Sequence, residues 1–178
     1  LEVFADLFPG LGEALERAGF TKDDTAPVMA LGAADSTPAP PDADTRPLTR
    51  EELKAFLYAQ DRAYGGFVGG ALGWLPQLEA GLKEGYILGA ALWRDGKPVS
   101  GATVIVGGTV GELAGVFTDA ALRRRGLAER VCRPLLEAFF AQGGGLCWLS
   151  AAPGAEGLYR RLGFREVGTQ VNYSGPGG

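Results

Sequence analysis

The first feature of this sequence that could do chemistry is a short basic turn. It consists of Arg123, Arg124, Arg125, Gly126, Leu127 and Ala128. A strand-like stretch precedes it, and apolar residues recur at helical spacing after it, so the turn opens a helix. The unpaired N–H groups and the dipole of a helix start attract phosphate oxygens, and arginine side chains donate bidentate hydrogen bonds to such oxygens. On these residues alone, a nucleotide-cofactor site and a solvated basic helix start remain alternatives.

Composition limits the other chemistries. The chain has 178 residues, 46% of them apolar and 21% charged, which fits one soluble α/β domain. It contains 0 histidines, which excludes Ser-His-Asp and Cys-His machinery and removes the commonest metal ligand. We therefore expect no metal. The net charge of -4 argues against a nucleic-acid partner.

The cysteines and the hydropathy pattern indicate the compartment. Cys132 and Cys147 lie in segments that look buried, so we expect reduced core thiols rather than a disulfide framework. No run approaches the roughly 20 apolar residues of a bilayer-spanning helix, and no signal-peptide pattern opens the chain. The sequence therefore predicts a cytoplasmic protein without a membrane partner.

Three zones follow one another along the chain. Residues 1–31 contain a helix from Gly12 to Ala18 and an apolar strand from Pro27 to Leu31. Residues 32–47, rich in Ala, Pro and Asp, are interpreted as an extended linker. Residues 48–174 form the main domain.

The patterns of the main domain predict alternating strands and helices. The predicted helices run from the Thr49 N-cap to about Tyr64, Leu75 to Lys83, Gly126 to Ala141, where Pro134 should kink or locally adjust the helix, and Ala155 to Leu162. The predicted strands are Tyr86 to Arg94, Pro98 to Val106, Val110 to Thr118, Leu146 to Leu149 and Arg165 to Tyr173. Gly65 to Gly73 is a predicted loop. The fold class is α/β, with helices on a mixed sheet that begins as antiparallel strands.

A weak internal repeat links the two ends. The segment Ala14 to Phe20 echoes Leu158 to Phe164, each an amphipathic helix end followed by Gly-Phe. Chance similarity of two helix ends is one explanation. The other is that residues 1–31 are the remnant of a degenerate copy of the main domain.

Two motifs in order resemble those of the GNAT superfamily of acetyl-CoA-dependent N-acetyltransferases. The first, Q/R-x-x-G-x-G/A, is matched by Arg123, Gly126 and Ala128, and the second, a Tyr-x-x-x-Gly-Phe helix end, begins at Tyr159. The order of elements from Leu48 to Tyr173 also matches the family.

The resemblance implies acetyl-CoA as the acyl donor and assigns its contacts. Coenzyme A would lie where the strands Leu113 to Thr118 and Leu146 to Ser150 splay apart, with its pantetheine arm bonded to backbone groups of the edge strand. The implied cofactor-binding residues are Val116, Phe117, Thr118, Arg123, Arg124, Arg125, Gly126, Leu127 and Ala128. An N–H near Val116 or Phe117 would hold the developing oxyanion.

The family's reaction is direct transfer of the acetyl group to an amine. Tyr159 occupies the general-acid position, with a tyrosine that merely packs as the alternative. Glu112 is our candidate base, because period 2 would put it on the same face as Ala114, Val116 and Thr118. A solvated hairpin-end glutamate, Asp119 and a water chain are the alternatives for that role.

The sequence departs from the family after Gly163-Phe164, where one strand is missing. We expect Pro27 to Leu31 to supply it, either within the chain or from a second copy in a homodimer. The acceptor, a small-molecule or peptide amine, would meet the first helix, the Gly65 to Trp74 loop and the hairpin. There Tyr64, Phe67 and Trp74 would either line the site or pack the loop. The rival hypotheses are a GNAT-like module that binds acetyl-CoA without catalysis and an enzyme for longer acyl groups.

Overall fold

A computed structural model describes residues 1–39, 42, 44–66 and 69–175. Its strands and α-helices in chain order are β1 (Glu2–Phe4), α1 (Leu11–Arg17), β2 (Thr21–Gly32), β3 (Thr45–Pro47), α2 (Leu53–Tyr64), α3 (Leu75–Glu84), β4 (Ile87–Arg94), β5 (Lys97–Gly107), β6 (Val110–Thr118), α4 (Leu127–Ala141), β7 (Leu146–Ser150), α5 (Glu156–Arg161) and β8 (Arg165–Ser174). The predicted α/β class is confirmed. The residues form two compact units, a terminal unit (1–31 and 148 onward) and a central unit (32–147).

In the terminal unit, β8 pairs antiparallel with both β1 and β2. Pro27 lies opposite Thr169, so the Pro27 to Leu31 segment does become a strand, and it is supplied within the same chain. The strand is longer than predicted because its polar half also pairs. Asp23 accepts a hydrogen bond from Ser174 and Asp24 one from Asn172, each at 2.6 Å. Polar side chains whose hydrogen bonds are made across a strand pair leave no hydrophobic pattern in the sequence.

The two helix ends of the internal repeat have the same backbone geometry. Gly19 and Gly163 both have positive φ, +89° and +100°. After α1, the Phe20 N–H donates to the Leu15 carbonyl at 3.0 Å, and after α5 the Phe164 N–H donates to Tyr159 at the same distance. Both are Schellman motifs. The matching geometry supports the remnant interpretation, which stays a prediction together with the domain boundaries.

In the central unit, β3, β4, β5 and β6 pair antiparallel in that order. A Cβ added to Gly101 would collide with Phe56 of α2, whereas one added to Gly111 would collide with Phe139 of α4. Since these glycines belong to opposite faces, α2 lies on one face of the strands and α4 on the other. Leu53, Phe56 and Leu57 are at most 1% exposed and anchor α2.

The predicted linker is ordered at its end. Thr45–Pro47 forms β3, with Arg46 opposite Ala91, and the Leu48 N–H donates to the Gly89 carbonyl at 2.8 Å. Residues 32–47, interpreted as an extended linker, therefore end in a paired strand, because backbone pairing stabilises a strand that buries little apolar surface. Pro40 and Pro41, on which that interpretation partly depended, lie outside the described residues.

Candidate functional site

The basic turn has an open backbone. Arg124 and Gly126 both have left-handed conformations, with φ of +63° and +73°. Gly126 is the N-cap of α4, and no side chain within the described residues caps this helix start. The first bond inside the helix runs from the Arg130 N–H to the Gly126 carbonyl at 3.1 Å. The preceding N–H groups therefore form a concave donor set of the kind that binds anions.

Arg123 holds the turn in place. Its Nε donates to the Thr118 carbonyl at 3.4 Å, and its Nη2 donates to the Ala63 carbonyl. Ala63 lies in the last turn of α2, where carbonyls lack helical partners and the dipole attracts cations. The geometry therefore supports a positioning role for this guanidinium rather than a phosphate contact.

Two further arginines of α4 are engaged by acidic residues. Arg130 forms a bidentate ion pair with Asp42, with both N–O distances 2.7 Å, and Arg133 pairs with Glu129 at 2.6 Å. The Arg130 hydrogen bonds hold the pKa of Asp42 well below its usual range. Arg124 and Arg125 are exposed, and their side chains make no hydrogen bond or ion pair to the described part of the chain. Within the basic turn as described, their guanidiniums are available to an incoming phosphate.

Strand β6 carries a bulge where the pantetheine arm was predicted. Gly115 has φ of +62°, and the register with β5 shifts between the Gly101–Phe117 and Thr103–Ala114 pairs. The extra residue disrupts the ladder locally. Side chains of α2 contact the bulge: Gln60 Nε2 donates to the Gly115 carbonyl and the Tyr64 hydroxyl to the Val116 carbonyl, both at 3.0 Å.

The bulge decides which backbone groups are offered to a ligand. The Asp119 N–H donates to the Val99 carbonyl at 2.8 Å, so by alternation the backbone groups of Phe117 also face β5. Those of Thr118 face the opposite direction. The Phe117 ring is 3% exposed and packs edge-on against Phe56 at 5.2 Å. For Phe117 the geometry thus indicates a packing role, which leaves Val116 and Thr118 as candidates for backbone contact with the cofactor.

The bulge also corrects the predicted face of Glu112. Glu112 lies opposite Ile105 and Ala114 opposite Thr103, but Gly101 of the same β5 face lies opposite Phe117. Glu112 therefore shares the α2 face with Phe117, whereas Thr118 lies on the other face. The period-2 prediction was wrong beyond Ala114, because an extra residue inverts the alternation. Glu112 is half-buried and has an interaction partner.

Two other residues considered for proton transfer have clear structural surroundings. Asp119 accepts a hydrogen bond from the Ala121 N–H at 3.0 Å and so caps the turn after β6, as expected of a turn residue. Tyr159 of α5 is 7% exposed, and its ring lies edge-on to Phe164 at 6.0 Å. Tyr159 thus packs within the terminal unit, and its general-acid role stays a prediction.

The loop expected to meet the acceptor is fixed to α2. The buried Asp61 carboxylate accepts hydrogen bonds from the Gly69 N–H at 2.7 Å and the Ala71 N–H at 3.0 Å. Trp74 is 66% exposed and Tyr64 59%, so neither ring serves mainly to pack the loop. Both are available to a ligand. Phe67 lies outside the described residues.

Thiol and metal chemistry have no visible basis among the described residues. Cys132 and Cys147 are free and buried, as predicted, and burial raises the pKa of each thiol to about 12. Both are therefore protonated near neutral pH.

The described residues contain no cluster of metal-ligating side chains and no helix long and apolar enough to span a bilayer.

Comparisons with known proteins identify the family. The Acetyltransferase (GNAT) family pattern matches residues 38–164. The chain belongs to this family of acetyltransferases. No curated protein sequence matches it. The predicted resemblance and enzyme class are confirmed.

Solved GNAT structures have the same fold. A GCN5-related N-acetyltransferase from Kribbella flavida is 28% identical with a TM-score of 0.76, over 99% of this chain and 68% of that one. One from Sphaerobacter thermophilus is 20% identical with a TM-score of 0.75, over 97% of this chain and 57% of that one. A predicted acetyltransferase from Clostridium acetobutylicum, solved with acetyl-CoA, is 12% identical with a TM-score of 0.61, over 69% of this chain and 90% of that one. The Sphaerobacter and Clostridium structures show the shared fold alone.

Within the GNAT framework, sequence reasoning missed the contacts that α2 makes with β6. The sequence suggests Tyr64 only as acceptor lining, and nothing in it singles out Gln60. A glycine inside a strand pattern signals a bulge, so Gly115 indicates the bulge in β6. Gln60 and Tyr64 are a polar pair at positions i and i+4 of α2, which indicates that both side chains lie on one side of that helix.

Proposed function

We propose that the protein is an acetyl-CoA-dependent N-acetyltransferase that moves the acetyl group directly to a small-molecule or peptide amine. The observation that carries the proposal is the uncapped start of α4 at Gly126, in the central unit that also contains the bulged strand β6. Family membership supplies the reaction class, and this backbone geometry supports the proposed binding place of the donor.

The cofactor would be held mainly by backbone groups. The pyrophosphate would accept hydrogen bonds from the N–H groups between Arg124 and Ala128, with Leu127 buried beneath as an anchor. The side chains of Arg124 and Arg125 would add charge-assisted bonds. Val116 and Thr118 would bond the pantetheine arm, and the Val116 N–H would face the thioester carbonyl.

Acetyl transfer forms one bond and breaks another. The neutral amine attacks the carbonyl carbon, a C–N bond forms, and the negative charge that develops on oxygen is stabilised by the Val116 N–H. The C–S bond then breaks, and the departing thiolate takes a proton from Tyr159. The proton lost by the amine passes to Glu112 or to water. Glu112 is proposed because it is a half-buried carboxylate on the α2 face of β6.

Two measurements test the proposal in sequence. Calorimetric titration should show acetyl-CoA binding, and thiol release in the presence of a panel of amines should show turnover. Absence of binding at high excess would refute the donor assignment. Binding without thiol release for any amine would instead favour a non-catalytic acetyl-CoA module. Faster release from longer acyl-CoA donors would revise the acyl group.

The cytoplasmic location and the homodimer remain predictions from the sequence. Cell fractionation tests the first. Size-exclusion chromatography with light scattering tests the second, and a single-chain mass at all concentrations would exclude it.

A further inference from the structure

The last two turns of α2 contact consecutive carbonyls of the β6 bulge. Gln60 donates to the Gly115 carbonyl and Tyr64 to the Val116 carbonyl, each at 3.0 Å. The two donors are four residues apart on one helix, so they lie on the same side of it. Together they form a two-point clamp on the bulge.

The clamp fixes the direction of a particular N–H group. The Gly115 carbonyl and the Val116 N–H belong to one planar trans peptide group, in which they point in opposite directions. Gly115 is left-handed, a conformation that glycine leaves easily, so this peptide group would have alternative orientations without a partner. By holding the carbonyl, Gln60 also sets the direction of the Val116 N–H.

We propose that Gln60 and Tyr64 are positioning residues for acyl transfer, which aim the Val116 N–H at the thioester carbonyl. This inference rests on the proposed function, because it assigns a purpose to a donor that only an acyl-CoA would use. Gln60 sets the peptide group that carries this N–H. Tyr64 holds the next peptide group, whose own N–H belongs to Phe117 and faces β5.

The side chains themselves argue against a purely structural role. Tyr64 is 59% exposed, so its ring contributes little to the core. Its hydroxyl nevertheless donates to the Val116 carbonyl, and desolvation raises the pKa of Tyr64 while a side-chain hydrogen bond with Gln60 opposes that shift. A Cβ on Gly115 would lie 2.5 Å from Gln60 Nε2, so the clamp also requires glycine at the bulge.

The test compares Gln60→Met and Tyr64→Phe with the wild-type enzyme. Misdirecting an oxyanion donor should lower kcat by roughly 10- to 100-fold in Gln60→Met, somewhat less than outright loss of such a donor. Tyr64→Phe, which removes one neutral hydrogen bond, should lower kcat by about 2- to 10-fold. Binding of adenosine 3′,5′-bisphosphate, which carries the phosphate part of coenzyme A and no acyl group, should stay within about twofold for both. Tyr86→Phe is the matched control: this exposed tyrosine lies immediately before β4, and the variant should match the wild type.

Each outcome decides a separate point. Unchanged kcat in both variants overturns the inference, and so does an equal loss of kcat and of adenosine bisphosphate binding, which would indicate a general structural defect. A wild-type protein that neither binds acetyl-CoA nor releases thiol overturns the proposed function instead. If Gln60→Met does not fold, Tyr64→Phe at its exposed position decides the inference alone.

Discussion

Arg124 offers a substitution pair that separates backbone strain from cofactor affinity. The residue has φ of +63°, a conformation that disfavours L residues by roughly 1–2 kcal/mol and that glycine adopts readily. Glycine offsets part of this gain through its larger entropy in the unfolded chain, about 0.5–1 kcal/mol. Arg124→Gly should therefore be more stable than Arg124→Ala by about 0.5–1 kcal/mol, which for a chain of this size is about 1–4 °C in Tm.

The same two variants should bind coenzyme A equally weakly. Each removes one guanidinium, and a hydrogen bond to a charged group contributes about 1.5–3 kcal/mol, so affinity should fall at least about tenfold in both. Thermal unfolding without ligand and calorimetric titration at two salt concentrations measure the two effects. An alanine variant as stable as the glycine variant would contradict the left-handed conformation. Wild-type affinity in both variants would contradict the phosphate contact.

Three further predictions concern other parts of the chain. Asp42→Asn should lower stability at neutral pH by less than about 1 kcal/mol. The folded-state pKa of Asp42 is depressed, so in urea unfolding against pH the difference should begin to shrink below about pH 4, the unfolded pKa, and should vanish only as pH falls through the lower folded-state pKa. Tyr159→Phe should lower kcat by about 100-fold with the acetyl-CoA Kd unchanged, and an unaltered rate in the thiol-release assay would remove its acid role. Gly115→Ala should be less stable in thermal unfolding than Gly126→Ala. Both variants add a Cβ to a left-handed residue, but only the Cβ at position 115 would lie 2.5 Å from Gln60. Equal stability of the two variants would contradict that contact.

The α4 turn and the main elements could be predicted from the sequence because local signals specify them. Residues near Gly126 combine a glycine, a basic cluster and the onset of helical periodicity, and α4 begins one residue after that glycine. It also runs through Pro134 without a break, although the proline removes a hydrogen bond to the Arg130 carbonyl. Periodicity over such a length outweighs one unfavourable residue.

The arrangement of the candidate site could not be predicted, since it depends on contacts distant in the chain. Nothing local distinguishes Arg123, which donates to the end of α2, from Arg124, which makes no bond to the described residues. The predicted set of residues on the same face as Glu112 was wrong because a bulge changes the alternation of side chains between the two faces of a strand without changing their hydrophobicity. The strand at Thr45–Pro47 depends on a partner more than 40 residues away.

The internal repeat offers an argument about Tyr159. Leu15 occupies the equivalent position in the first helix end. Its carbonyl accepts the same Schellman hydrogen bond, and its side chain packs beside Phe20 on a small apolar cluster. An aliphatic side chain therefore suffices for packing at this position. The ring of Tyr159 repeats that packing against Phe164, and what it adds is a hydroxyl. A hydroxyl that packing does not require is consistent with the proposed acid role.

The end of α2 connects the parts of the proposed reaction within the central unit. The Ala63 carbonyl accepts from Arg123 of the basic turn, Gln60 and Tyr64 hold the β6 bulge, and Asp61 holds the loop before Trp74. The negative end of the helix dipole favours the Arg123 guanidinium at this place. Because these contacts come from one helical segment, that segment connects the basic turn, the β6 bulge and the loop before Trp74 to one another. A displacement of that segment should therefore affect donor binding and acceptor binding together, whereas loss of a single contact should affect only one of them.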